Sequence, residues 1–440
     1  MSSTSLAARP GATPHRAAVA SLVGTTIEWY DFYLYATAAA LVFGPLFFTD
    51  ADPATGVLAS FATYAAGFGA RPVGAVVAGH LGDRIGRRAV LVGSLILMGA
   101  ATTLIGVLPT YPAAGLLAPV LLVVLRLAQG VAVGAEWAGA VLMAVEHAAG
   151  ERRRGLFGSF PQIGSSAGML LASGVYASVL AIAGKDAFLA GAWRIPFLLS
   201  IVLVGVGLAI RLTLADPAVF AEARETGTLA RRPVLEVLRT EWRTVLLTIG
   251  SRIAQNSVYI LATTFALTYL AQGTEAPEGA GLTAVIVASA IGLFSTPLWA
   301  VLSDRVGRKP VYLVGAVGAP LFLGVFFLLL DTGSTALIVV AMVVLVNLFH
   351  DAMYGPQAAW YGELFATRVR YSGASLGYQI GSVIGGTTPL VATALLLAGG
   401  GRPWLIWGYF GLLFGVTIVS TVLSPETHRT GLGHDARSSA

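Results

Sequence analysis

Twelve apolar runs, each long enough to cross a bilayer, recur along the chain: 20–47, 55–78, 89–109, 114–145, 157–183, 192–213, 244–271, 281–302, 310–330, 334–361, 373–398 and 403–423. A helix of about 20 apolar residues spans a hydrocarbon core, where every backbone polar group must be satisfied from within. Of 440 residues, 56% are hydrophobic and only 11% charged, against about 25% in a soluble domain, so a water-soluble fold could not hide the surplus. The expectation is an all-α polytopic membrane protein.

The net charge of +5 is topology rather than a nucleic-acid footprint. Arg71, Arg126 and Arg252 fall inside runs, and Lys185, Arg194 and Arg402 at one set of loops. The other Lys and Arg residues crowd the opposite loops and both termini. The positive-inside rule makes that crowded side cytoplasmic, with both termini, in a plasma (inner) membrane. No cysteine is present, which excludes disulfides, thiolate metal sites and Cys nucleophiles. The first run is too long, and with Glu28 and Asp31 too acidic, for a cleaved signal peptide. No metal-ligand spacing, nucleotide-binding motif or hydrolase elbow occurs, so neither an enzyme nor a cofactor is expected. The expected partners are a small molecule, protons and the lipid bilayer, with no nucleic acid and the monomer as the working unit.

The chain repeats itself. "GDRIGRRAVLVG" at 82–93 returns as "SDRVGRKPVYLVG" at 303–315, and "QIGSSAG" at 162–168 returns as "QIGSVIG" at 379–385. Similar offsets of 221 and 217 indicate a duplicated six-helix unit. Twelve transmembrane helices in two pseudo-symmetric six-helix bundles follow. A cytoplasmic tail is expected at 1–16, the bundles at 17–213 and 243–424, a cytoplasmic linker at 214–242 and a second tail at 425–440. That layout is the one used by carriers that rock around a midplane site, and charges inside the runs argue against a scaffold without cargo.

The repeated loop has a mechanical logic. Gly79, Gly82 and Gly86 permit a tight turn, Asp83 can cap the next helix, and Arg84, Arg87 and Arg88 can reach acids at neighbouring helix ends. Glu146 and Glu363 end the fourth and tenth runs on that side, and the second copy supplies Asp304, Arg305, Gly307 and Arg308. A positively charged turn alone would explain the arginines but not the returning Gly/Asp spacing, which favours a conformational latch.

This loop resembles the signature of the major facilitator superfamily. "EWYDFYLYATAAALVFGPLFF", "RLAQGVAVGAEWAGAVLMAVE" and "RVRYSGASLGYQIGSVIGG" further resemble the metabolite:proton symporter family of shikimate, oxoglutarate, citrate and proline/betaine carriers, over nearly all of 17–425. "NLFHDAMYGPQ" at 347–357 leans toward the shikimate-like branch but departs from its pattern around Tyr354–Ala358.

Glu28 and Asp31, spaced i, i+3, share a helical face with Tyr35 and should point into the bundle, because acids at membrane depth are costly unless paired, protonated or wetted. Arg126 needs an anionic or strongly accepting partner. Resemblance to proton-coupled sugar carriers implies that Asp31 is the coupling acid and Arg126 its partner, a pair that titrates rather than packing statically. Glu28 would share the proton, and Glu136 would line the pocket or form a second proton site. Gly130, Gly134 and Gly139 suit close helix packing.

Arg252 takes the repeat position of Asp31, and Gln255, Asn256 and Tyr259 follow it as a polar stripe. Asn347, His350, Asp351 and Tyr354 come from the tenth run, with Gln162 and Gln379 at equivalent places in the fifth and eleventh. Arg252 is expected to bind a substrate carboxylate, with a static Arg252–Asp351 pair as the competing reading. Arg71, ahead of Pro72, reads as structural or snorkelling. The expected function is proton symport of a small organic acid by alternating access. Proline/betaine-type osmolyte uptake and efflux by proton antiport stand as alternatives.

Overall fold

A computed structural model describes residues 14–49, 52–85, 87–147, 153–213, 233–366 and 369–429. Its helices fall into twelve membrane-crossing segments. In the first half they are α1 (Pro14–Leu41), α2 (Pro53–Ile85), α3 (Arg87–Val107), α4 (Leu117–Gly134, resuming as Trp137–His147), α5 (Arg154–Ala183) and α6 (Arg194–Thr213). In the second they are α7 (Trp242–Ile260, through a π-helical turn Leu261–Phe265 to Ala266–Gly273), α8 (Ala280–Val306) and α9 (Arg308–Asp331). The last three are α10 (Thr335–Val343, a π-helical stretch Val344–His350, then Asp351–Leu364), α11 (Arg370–Gly386, resuming as Thr388–Ala398) and α12 (Trp404–Leu423).

By length and composition alone, eight of these helices can cross a membrane among the described residues, or nine when the bent pair Lys185–Ala192 and Arg194–Ala209 counts as one span. The three that fall short are α1, α2 and α7, and they carry Glu28 and Asp31, Arg71 and Arg252.

Within the first half α1 packs on α5, α2 on α4 and α3 on α6; within the second α7 packs on α11 and α12, and α8 and α9 on α10. The halves meet along α5–α8 and α2–α11. These are the same two helices of each repeat, exchanged, as a pseudo-two-fold relation requires. Gly130 and Gly134 of α4 lie against the carbonyls of Gly67 and Arg71 on α2, closer than a Cβ would allow, so α2 and α4 touch backbone to backbone. Gly139, by contrast, has room for a side chain.

Several expectations need correction. Helix α2 runs on through Gly79 and Gly82 to Ile85, so neither glycine makes a turn, and α3 starts at Arg87. In the second copy the single residue Gly307 separates the two helices, with φ 121°, and a Cβ there would meet Glu426 Oε2 at 2.8 Å. Helix α1 begins at Pro14, inside the expected tail, where proline's missing N–H costs nothing. Linker residues 214–232 lie outside the described residues, and a short helix Pro233–Thr240 leads into α7.

Candidate transport site

Two buried polar chains, one in each half, make up the centre. In the first half Asp31 is fully buried, and Ser200 Oγ of α6 donates to its Oδ1 at 2.5 Å. The sequence suggests a direct Asp31–Arg126 pair, which is not formed here. The Arg126 guanidinium lies over the rings of Phe32, Tyr35 and Tyr64 at 4.3, 4.2 and 4.8 Å, and its Nη1 donates to Gln129 Oε1 at 3.0 Å. Gln129 Nε2 in turn donates to Thr102 Oγ1 at 2.7 Å, whose own hydroxyl donates to the Met98 carbonyl at 2.9 Å. Arg126 is thus held by an amide rather than by the acid, because Gln129 sits one turn beyond it and meets its donors first. Glu28 is buried on the face of Asp31 and interacts with it electrostatically, and the Tyr35 hydroxyl bonds Thr63 Oγ1 at 2.6 Å. Glu136 is buried at the break in α4.

The second half repeats the arrangement with different residues. Arg252 is 1% exposed and donates through Nη1 to Gln255 Oε1 and, at 2.6 Å, to Gln357 Oε1. Its Nη2 reaches Asn256 Oδ1 and its Nε reaches Ser382 Oγ, both at 3.3 Å. Asp351 is not its partner: Ser295 Oγ and Asn347 Nδ2 donate to Asp351, and His350 Nδ1 lies 2.9 Å from Oδ1. Gln255 Nε2 meets His350 Nε2 at 2.5 Å, so the chain runs Asp351–His350–Gln255–Arg252. The π-helical turn of α10 ends at His350, and such bulges gather at functional sites because they re-aim side chains. Tyr33, Tyr259, His350 and Tyr354 form a run of ring contacts with centroids 5.9, 4.6 and 5.2 Å apart.

Gln162 and Gln379 cross between the halves. Gln162 Nε2 donates to the Tyr354 carbonyl at 3.1 Å, and Gln379 Nε2 to the Gly134 carbonyl at 3.3 Å. Beside them Trp137 stacks on Tyr378, centroids 3.5 Å apart, and Tyr378 presents its other neighbour, Arg252, at 3.7 Å from the ring centroid. Gln357 and Tyr378 escaped the sequence reading. Gln357 stands at the repeat position of Glu136, offset 221, a signal that would have found it; nothing comparable marks Tyr378. Arg71 does not snorkel: it is fully buried.

On the side of the termini the halves are clasped. Asp304 accepts the backbone N–H groups of Gly155 (2.8 Å) and Leu156 (3.1 Å), capping α5 of the other half rather than the helix that follows it. The following helix, α9, is capped by Glu426, which accepts from Arg308 and Lys309 N, both at 2.9 Å. Glu363 is shared by Arg308 of its own half (3.1 Å) and Arg154 of the other (3.3 Å), and Arg308 also pairs with Asp304 at 2.8 Å. Arg305 points out to solvent. Gly79, Asp83, Arg84, Arg87, Arg88 and Glu146 lie on helices, but their side chains, and Gly86 altogether, lie outside the described residues. The opposite side opens as a vestibule of about 810 Å³ between the ends of α1, α5 and α7 and the starts of α2 and α8. Among the described residues the exposed Lys185–Glu278 pair (2.9 Å) bridges the halves' loops there, a contact worth about 0–1 kcal/mol, and Thr268 Oγ1 of α7 donates to the Ala40 carbonyl of α1 at 3.3 Å.

The sequence matches the model of the sugar (and other) transporter family over residues 16–434. It is 38% identical to the shikimate transporter of Escherichia coli strain K12 over 405 residues, covering 90% of this chain and 92% of that one. Identity to the proline/betaine transporter of the same organism is 32%, over 96% of this chain and 86% of the other. The fold matches the proton:xylose symporter XylE with a TM-score of 0.72 at 16% identity, covering 96% and 98% of the two chains. The chain belongs to the major facilitator superfamily and its metabolite-transporter branch: it is a twelve-helix membrane carrier, not an enzyme.

Proposed function

We propose that the protein takes up a small organic acid, shikimate-like or dicarboxylate-like, together with protons. The observation that carries this reading is Arg252, whose hydrogen-bond partners Gln255, Gln357, Asn256 and Ser382 are all neutral. A buried cation without a counter-charge is costly, and a guanidinium fork matches a carboxylate at two points. An incoming acid would relieve that cost. Asp31 supplies the coupling: protonating it changes the charge where α1 meets α6, and so the balance between states. One proton entering down ~100 mV contributes about 2.3 kcal/mol.

The vestibule admits substrate from the side opposite the termini while the clasp of Asp304, Arg308 and Glu363 holds the other side shut. Opening the clasp and closing the vestibule would deliver the acid to the termini side, which the crowding of Lys and Arg supports as cytoplasmic. Similarity to the shikimate transporter supports an acid. A second reading, a betaine-like zwitterion, is favoured by the Tyr33–Tyr259–His350–Tyr354 rings, whose faces suit a quaternary ammonium. Counterflow of labelled shikimate, 2-oxoglutarate and glycine betaine in proteoliposomes separates them. Exchange of an acid, with accumulation under an inward proton gradient, supports the first. Exchange of betaine alone supports the second.

A further inference from the structure

Trp137 and Tyr378 come from different halves, on α4 and α11, and both are buried. Their rings lie nearly parallel, 14° apart, with centroids separated by 3.5 Å. Arg252 Cζ lies 3.7 Å from the same Tyr378 centroid. Two groups that close to one centroid cannot share a face, so Tyr378 is sandwiched between the indole and the guanidinium. A ring behind and a cation in front both suit the electron-rich faces of a phenol.

Most of what holds Arg252 travels with it. Gly381 brings α11 so near α7 that a Cβ there would meet Arg252 Cβ at 2.7 Å, which fixes the stem of Arg252 within the second half. Its hydrogen-bond partners Gln255, Gln357, Asn256 and Ser382 belong to that half too. Trp137 does not. Its Nε1 donates to Gln162 Oε1 in its own half at 3.4 Å, and its segment of α4 meets α10 and α11 across the interface. Gln379, the residue after Tyr378, donates to the Gly134 carbonyl, three residues before Trp137. The indole therefore backs Tyr378 while the halves are closed on the side of the termini, and leaves it when they part there.

We propose that Trp137 is a positioning residue for Arg252, acting through Tyr378, so that the guanidinium plane is set for a carboxylate only while the halves are closed on the side of the termini. This rests on the reading that Arg252 binds a carboxylate of the cargo. A stacked Tyr378 ring fixes the plane of the fork, and two-point binding of a carboxylate depends on that plane. Parting of the halves frees the ring and loosens the fork, so cargo held firmly from the vestibule is held less firmly where it is released.

The test is a double-mutant cycle of Trp137→Leu with Arg252→Lys, in the full chain, in right-side-out and in everted membrane vesicles. The readout is the half-saturating concentration for exchange of whichever of shikimate, 2-oxoglutarate, proline and glycine betaine the wild type exchanges. Lys keeps the charge but has no plane to orient, and the cycle cancels any shift of populations that Trp137→Leu causes alone. In right-side-out vesicles Trp137→Leu should weaken the wild type about three- to tenfold and Arg252→Lys by no further than twofold. In everted vesicles Trp137→Leu should have the same effect in both backgrounds, within twofold. Trp137→Phe, which returns a ring to Tyr378, should recover most of the loss. Equal effects of Trp137→Leu in both backgrounds on the vestibule side make Trp137 a packing residue and overturn the proposal, as does equal coupling from the two sides; either leaves the uptake reading standing. Exchange of none of the four, or an Arg252→Lys protein as avid as the wild type, sinks the carboxylate reading and this inference with it. Should Trp137→Leu fail to fold, Trp137→Met, which fills more of the space and likewise offers no ring, enters the same cycle with the same expectations.

Discussion

Asp304→Ala tests the clasp. Asp304 makes two kinds of contact: to Arg308 in its own half at 2.8 Å, and to the N-terminus of α5 in the other half at 2.8 and 3.1 Å. The first survives when the halves part, because residues 304 and 308 travel together. Only the second distinguishes the clasped state from the open one. Loss of a helix cap costs about 1–2 kcal/mol, so the equilibrium should move away from the clasped state by about 5- to 30-fold. The chain has no cysteine, which makes single-cysteine labelling free of background. Ala271→Cys, exposed in the vestibule, should react more slowly with a membrane-impermeant maleimide once Asp304 is removed. Ala300→Cys, fully buried beneath the clasp, should react faster. Both rates unchanged in a folded Asp304→Ala protein would refute the idea that this cap sets the balance of states.

Three further outcomes follow from the geometry. Arg252→Lys should weaken carboxylate binding about tenfold with little effect on folding, and Arg252→Ala with Asp351→Ala should stay as inactive as Arg252→Ala alone; recovered binding in the double variant would revive a static pair. Burial pushes the Glu426 carboxyl up, but the N–H groups of Arg308, Lys309, His428 and Thr427 outweigh it and hold it below its ordinary 4.5. A depressed carboxyl contributes stability above its unfolded value and loses it as pH falls through the folded one, so the Tm gap between wild type and Glu426→Gln should be constant from neutral pH down to about 5 and close below 4.5. A gap that widens in acid would contradict the cap.

The spans, the duplication and the inward face of Glu28 and Asp31 were readable in the sequence, because apolar length, offset and i, i+3 spacing are properties of the chain itself. The partners of the buried charges were not. Gln129 meets the donors of Arg126 and Ser200 meets Asp31, while His350 and Gln255 stand between Asp351 and Arg252, and only the packing of neighbouring helices decides which polar group arrives first. Arg71 looked peripheral because Pro72 and the nearby helix end suggested a route to the interface; contact with α4 and α11 closes that route. Asp304 likewise reads as a cap for its own successor helix, yet the nearest free N–H groups belong to α5 of the other half.

The central claim is that Asp31 couples the cargo to protons, and it is tested by following lumenal pH in weakly buffered proteoliposomes as an exchanged acid is added outside. The account predicts that the wild type acidifies the lumen as substrate enters, whereas Asp31→Asn exchanges labelled substrate without moving protons and fails to accumulate it. Acidification persisting in Asp31→Asn at the wild-type ratio of protons to substrate would contradict it.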